Sequence, residues 1–168
     1  MKEAKTNLQK QAMLWEALST MVAFLLIIYL IRDRFVATSG ILPDMNLTQQ
    51  LSIFFLSLLS PVFWVSIIAP ASYAMAIIAA VSVFRAINKG NDFSPTLLKG
   101  LEKMGANLLF GACGAIFITP TLLNWFSFKG GIKFAASTEA FVILIVGGAL
   151  YFIADIGKKL NAELESFV

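Results

Sequence analysis

The chain has no histidine, a single cysteine (Cys113), and only 14% charged residues in a length of 168. Without histidine there is no His-based catalytic triad, no His–metal site and no histidine pH switch. One cysteine can form neither an internal disulfide nor a thiolate cluster. No HExxH, P-loop or GxSxG sequence is present, which removes the common zinc-protease, nucleotide-binding and serine-hydrolase signatures. A soluble domain usually carries roughly 25% charged residues, whereas here 58% of residues are hydrophobic. That balance excludes a disordered chain, argues against a water-soluble globule and points to an integral membrane protein.

A bilayer core needs roughly 20 apolar residues per helix. The apolar runs predict spans at about 14–34, 51–84, 104–126 and 138–157, with a cytoplasmic loop at 85–103. The second run is the difficult one. As a single helix it would be about 51 Å long, and Pro61 and Pro70 interrupt it. One reading is an outer interfacial helix from near Asp44, a bend at Ser60-Pro61, then one span. The other is a hairpin turning at Ala69-Pro70-Ala71, which makes five spans. Lys and Arg favour the cytoplasmic side of membrane proteins. Four spans with the N-terminus inside put Lys2, Lys5, Lys10, Arg85, Lys89, Lys99, Lys103, Lys158 and Lys159 within, against Arg32, Arg34, Lys129 and Lys133 outside. Five spans reverse that excess. The expected fold is therefore an all-α integral membrane four-helix bundle, a single domain, with both termini inside and a long second span kinked at Pro61 and Pro70. The first span is read as uncleaved. Arg32-Asp33-Arg34 directly precedes Ala37-Thr38-Ser39, the small-residue stretch where a signal peptidase would have to cut.

The most patterned polar segment is FRAINKGNDFSPTLLKGLEKMG, Phe84 to Gly105. Lys89-Gly90 reads as a helix C-terminus, a cation at the negative end followed by a residue tolerant of positive φ. Ser94-Pro95 reads as an N-cap and first helical residue. Leu97, Leu98, Leu101 and Met104 then share one face of the new helix, with Lys99, Glu102 and Lys103 towards the other. Phe93, Lys99 and Lys103 are the candidate docking residues for a cytoplasmic partner.

The pattern Phe84, Arg85, Ile87, Lys89, Gly90, Phe93, Ser94, the Leu/Gly-rich entry into the third span and the acidic, amphipathic tail carry a resemblance. Together they resemble a bacterial family of four-span inner-membrane proteins catalogued as a domain of unknown function, whose members are often encoded beside a small helix-turn-helix regulator. The resemblance implies a multi-pass protein of the bacterial inner (cytoplasmic) membrane. It brings no catalytic or binding residues with it.

Small residues let transmembrane helices approach closely. Ser72, Ala76 and Ala80 share a face of the second span, Gly111 and Ala115 a face of the third, and Gly147 and Gly148 sit in the fourth. These are the candidate packing residues. Pro120 is expected to disturb the third span, with Thr119 satisfying a freed carbonyl. An i, i+4 pair is expected between Asp155 and Lys159. Glu16, Arg32, Asp33, Glu139 and Asp155 all fall at predicted span ends, whereas a transporter would keep an ionisable group at membrane depth. Cys113, between Ala112 and Gly114, reads as a small packing residue. The net charge of +3 is spread over predicted cytoplasmic segments, so membrane insertion explains it without a nucleic-acid partner.

These features predict a non-catalytic membrane protein that needs no cofactor or metal and acts by protein–protein interaction. It would be a regulatory partner or an immunity protein against a membrane-active toxin. Its expected partners are the lipid bilayer, another protein and a second copy of the chain. The alternative is a small oligomeric transporter or channel, with Glu139 as its one candidate carboxylate.

Overall fold

The computed structural model describes residues 2–39, 46–90, 94–135 and 137–166. The elements are α1 (Lys2–Ser39), α2 (Leu47–Ser57), α3 (Pro61–Asn88), α4 (Pro95–Cys113), a π-helical turn (Gly114–Ile118), α5 (Thr119–Phe126) and α6 (Thr138–Ser166), with no strand among the described residues. Four stretches are long and apolar enough to cross a membrane: Asn7–Val36, Pro61–Asn88, Pro95–Phe126 and Thr138–Leu164. The chain is an all-α, multi-pass membrane protein.

The segment 51–84 is not one kinked helix. α2 ends at Ser57 and α3 begins at Pro61, with Ser60 extended between them (φ −83°, ψ 128°). Proline drives its predecessor out of the helical region, and it lacks an N–H that a helix start does not need. Trp64 braces the corner by donating from Nε1 to the Leu58 carbonyl at 2.8 Å. The second span thus runs from Pro61 to Asn88 rather than over 51–84, and a separate short helix precedes it. Pro70 lies inside α3, which continues through it. Asp44, the expected start of the short helix, lies outside the described residues.

The polar turn follows the local sequence. α3 ends at Asn88, and Gly90 takes φ +72°. Ser94 Oγ accepts from the Leu97 N–H at 3.3 Å, and Pro95 is the first residue of α4. α4 runs from there into the membrane-spanning part without a break, so the amphipathic lead-in and the third span are one helix. Phe93 lies outside the described residues.

Each long helix packs on its neighbour in the order α1, α3, α4, α6. The bundle is an open row, with α1 and α6 at its edges. Its buried surface is made mostly of small side chains, Ala69, Ala74, Ala76, Ala79, Ala80 and Ala86 on α3, Gly111 and Ala112 on α4, Ala154 on α6, with Val65, Val83, Leu98 and Ile116 the larger ones. Large apolar side chains point away, Phe24 at 64% exposed and Ile145 at 72%. In water that arrangement would be inside out. In hydrocarbon the tails are as apolar as leucine, so helices join where small residues allow close contact and large side chains meet lipid.

Two polar ties join α1 to α3. Glu16 accepts from Arg85 Nε at 2.8 Å and from Asn88 Nδ2 at 3.4 Å. Arg34 donates from Nη1 to Ser66 Oγ at 2.8 Å. By helical rise the ties are about 27 Å apart along α1 and about 28 Å apart along α3. A bilayer's hydrocarbon core is roughly 30 Å thick. No charged residue lies between Glu16 and Arg32 on α1 or between Pro61 and Phe84 on α3. The ties therefore mark the two edges of the apolar layer.

Candidate interaction surfaces

The tightest seam lies between α4 and α6. A Cβ on Gly105 would stand 2.6 Å from Tyr151 N and 2.8 Å from the Gly147 carbonyl oxygen, and a Cβ on Gly147 would stand 2.9 Å from Leu109 N. The two backbones touch here, which only glycine permits. Gly111 lies against a side chain instead: a Cβ there would stand 2.6 Å from the Tyr73 ring on α3. Of the predicted packing residues, Ser72, Ala76, Ala80, Gly111 and Gly147 are buried, whereas Ala115 and Gly148 are half-buried. Gly148 meets only Leu109 Cδ2, at 3.8 Å. Gly105 was not among the predicted packing residues. In sequence it closes the polar turn, and it has no small residue four positions away to flag it; its partner is 42 residues further on.

The open row leaves a groove of about 330 Å³ where α1 and α4 stand on either side of α3. Ala76, Ile77 and Ala80 form its α3 side, Leu18, Ser19 and Val22 the α1 wall, Met104 and Leu108 the α4 wall. Trp15 stacks on Phe84 at one end, ring centroids 6.2 Å apart. Its lining is almost wholly apolar.

Lys99 and Lys103, the predicted docking cations, are exposed on the first turns of α4. Lys99 borders a shallow groove of about 450 Å³ between α4 and the end of α6, with Pro95, Leu98 and Ala162. Within it Lys158 pairs with Glu102 at 2.6 Å, which neutralises one of the cations a partner could use. Lys103 does not border this groove. Lys159 pairs with Asp155 at 2.8 Å, as the spacing predicts. Glu139 lies exposed in the first turn of α6.

At the opposite end Asn124-Trp125 followed by Lys129-Gly130-Gly131 reads in sequence as an outer turn, and the turn is there, but the path of the chain after it is not foreseen. After α5 the chain turns through Phe128 (φ +58°), Gly130 (φ +64°) and Gly131 (φ +83°). It then runs back along α5 in extended form. Asn124 Nδ2 donates to the Gly130 carbonyl at 2.6 Å, and Trp125 Nε1 to the Gly131 carbonyl at 2.8 Å. The Thr121 hydroxyl donates to the Lys133 carbonyl at 2.9 Å and accepts from the Lys133 N–H at 3.2 Å. The Ala135 N–H donates to the Ile116 carbonyl at 2.9 Å. That last bond corrects the expectation for Thr119. Pro120 has no N–H for the Ile116 carbonyl four residues earlier, and Ala135 supplies it instead. Thr119 donates across to the Val65 carbonyl of α3 at 3.2 Å. The local signals, Asn124-Trp125 and then Lys129-Gly130-Gly131, mark an outer turn but not the direction of return.

Among the described residues no group of three Cys, Asp or Glu side chains could hold a metal ion. What the fold and its surfaces define is a multi-pass membrane protein with grooves between helices. Compared with protein families, with curated proteins and with solved structures, the chain has no match.

Proposed function

We propose that this chain is a non-catalytic membrane protein that acts by holding another protein, through a transmembrane helix seated in the groove between α1 and α4. The single observation carrying this reading is the groove itself. Ala76 and Ala80, buried on α3, form the floor of an apolar groove that none of the described helices fills. The side chains that would meet a partner helix are those of its walls, Leu18 and Val22 on α1 and Met104 and Leu108 on α4. With the N-terminus inside, as the Lys and Arg distribution favours, the stacked Trp15 and Phe84 lie towards the cytoplasmic leaflet. The family resemblance adds the bacterial inner membrane as the location. Two biological roles fit this arrangement, a regulatory partner of another membrane factor and an immunity protein that occupies a membrane-active toxin.

Affinity capture in mild detergent should recover one stoichiometric partner. Ser19→Phe, which fills the groove from the α1 wall, should abolish recovery while leaving thermal unfolding of the protein unchanged. Recovery of the bare chain across several detergents would overturn the reading. The transporter alternative needs Glu139 within a translocation path, and Glu139 stands exposed at the end of α6. Liposome flux lost on Glu139→Gln at unchanged protein level would restore it.

A further inference from the structure

The geometry points to the return hairpin, residues 127–135, as a lipid-binding element: it lies within the headgroup layer of one leaflet and takes the phosphates of anionic phospholipids with Lys129 and Lys133.

Three independent observations meet here. The first is height. Thr119 bonds to Val65, one residue from the Arg34–Ser66 tie that marks the edge of the apolar layer. From Thr119 to Phe126 α5 rises about 10 Å further. The headgroup layer on each side of a bilayer is roughly 5–8 Å thick. The hairpin runs back down through that whole layer, from a tip a few ångströms beyond it to Ala135, which meets Ile116 about 4–5 Å inside the apolar edge.

The second is backbone satisfaction. An extended segment in water needs no protein partners for its N–H and C=O groups. Away from water each unpaired group is costly, and irregular backbone is tolerated there only where protein supplies the bonds. The carbonyls of Gly130, Gly131 and Lys133 and the N–H groups of Lys133 and Ala135 are all served by α5 or the turn before it. Among the described residues the N–H groups of Gly130 and Gly131 and both backbone groups of Ile132 and Phe134 have no protein partner, so the segment is paired in part only, which suits a layer of headgroups and water.

The third is the side chains it displays. Phe128 is 99% exposed and Ile132 73%, while Phe134 packs edge-on against Phe117 with centroids 5.0 Å apart. Phe128 takes a positive φ at the turn. Between these residues stand Lys129 and Lys133, exposed and, among the described residues, without an acidic partner. Aromatic rings and lysines alternating at this height match the aromatic belt and basic headgroup contacts of membrane interfaces. A protein-docking patch would need the apolar residues gathered on one side. Here Phe55, Leu59 and Trp64 are also exposed around the α2–α3 corner of the same end, which suits a surrounding fluid better than one partner.

The test uses the full chain with Trp125 as its only tryptophan (Trp15→Phe, Trp64→Phe), reconstituted into vesicles. Trp125 donates to Gly131 and so reports on the hairpin. Vesicles of phosphatidylcholine carry acyl-brominated phosphatidylcholine or acyl-brominated phosphatidylglycerol in equal amounts. Both leaflets have the same composition, so orientation does not matter. The expected result is quenching by both lipids, about twofold stronger with the brominated phosphatidylglycerol, and equalised by Lys129→Gln with Lys133→Gln. Equal quenching by the two lipids in the parent chain would overturn the assignment of the lysines. Quenching by aqueous iodide with none by either lipid would overturn the whole inference and leave the hairpin as a water-facing surface for a protein. Should the double tryptophan replacement not fold, an environment-sensitive fluorophore on Phe128→Cys, in a Cys113→Ala background, gives the same readings.

Discussion

The α4–α6 seam and the α1–α3 seam hold together in different ways. Along α4–α6 the two backbones touch at Gly105 and Gly147. Along α1–α3 the helices meet through buried alanines such as Ala23 and Ala76, and the polar bonds sit at the two ends, Glu16 with Arg85 and Arg34 with Ser66. Hydrocarbon supplies no hydrophobic drive between helices, so association rests on van der Waals contact and on hydrogen bonds. The α4–α6 seam concentrates the first within the apolar layer and adds one polar pair, Glu102 with Lys158, at its end. The α1–α3 seam places the second at the layer's edges, where water and headgroups compete. The difference assigns α1 the looser attachment, and α1 is also one wall of the groove proposed for the partner.

The largest expected effect tests the glycine contact. Gly105→Ala and Gly147→Ala each place a methyl group against backbone atoms that cannot swing aside. Each should cost about 3 kcal/mol, read as a fall in thermal unfolding temperature in detergent micelles. Gly148→Ala is the internal control. Its Cβ would meet nothing nearer than Leu109 Cδ2 at 3.8 Å, and alanine favours helix by up to about 1 kcal/mol. It should be neutral or slightly stabilising. Equal losses at Gly147 and Gly148 would erase the distinction between the seams.

A smaller effect is expected where polar bonds act alone, on the return hairpin. Thr121→Val removes both bonds to Lys133, and Asn124→Ala removes the one to Gly130. Each should cost about 1 kcal/mol, confined to that segment. Hydrogen exchange at Lys133 and Ala135 should quicken while the α4–α6 amides keep their protection. Loss of protection across α4–α6 would mean that the hairpin and the glycine seam unfold as one unit.

How much of this was legible follows from the range of each interaction. The caps were readable because they are local: Gly90 takes positive φ, Ser94 caps Leu97, and Lys159 reaches Asp155 one turn back. The four spans were readable because composition reports the solvent. Which faces meet was harder. A helix apolar all round carries no moment to say where its neighbour lies, so Gly105 and Gly148 look alike until the partner helix is placed. Glu16 was legible as a span-end charge, but its partner Arg85 is 69 residues away. The outer turn was legible at Lys129-Gly130-Gly131, but the return of the chain along α5 was missed for a related reason. Its direction is set by side chains of α5 and by the carbonyl that Pro120 leaves free, and neither is adjacent to the strand in sequence.

The smallest expected effect is at the Glu16–Arg85 tie. Arg85 is 57% exposed and Glu16 20%, so solvent screens much of the attraction. Glu16→Gln should lower the unfolding temperature only slightly, and less at high salt. Its diagnostic value lies in where the loss falls. If the tie fixes α1, the amides of α1 should exchange faster in Glu16→Gln, and those of α4 and α6 should not change. Arg85→Gln should give the same pattern, and the double replacement should add little to either single one, because each removes the same bond. Additive losses would show two unrelated roles. Faster exchange in α6 would show that α1 is coupled through α3 and α4 to the far edge of the row, so that occupancy of the groove beside α1 could be felt at the α4–α6 seam.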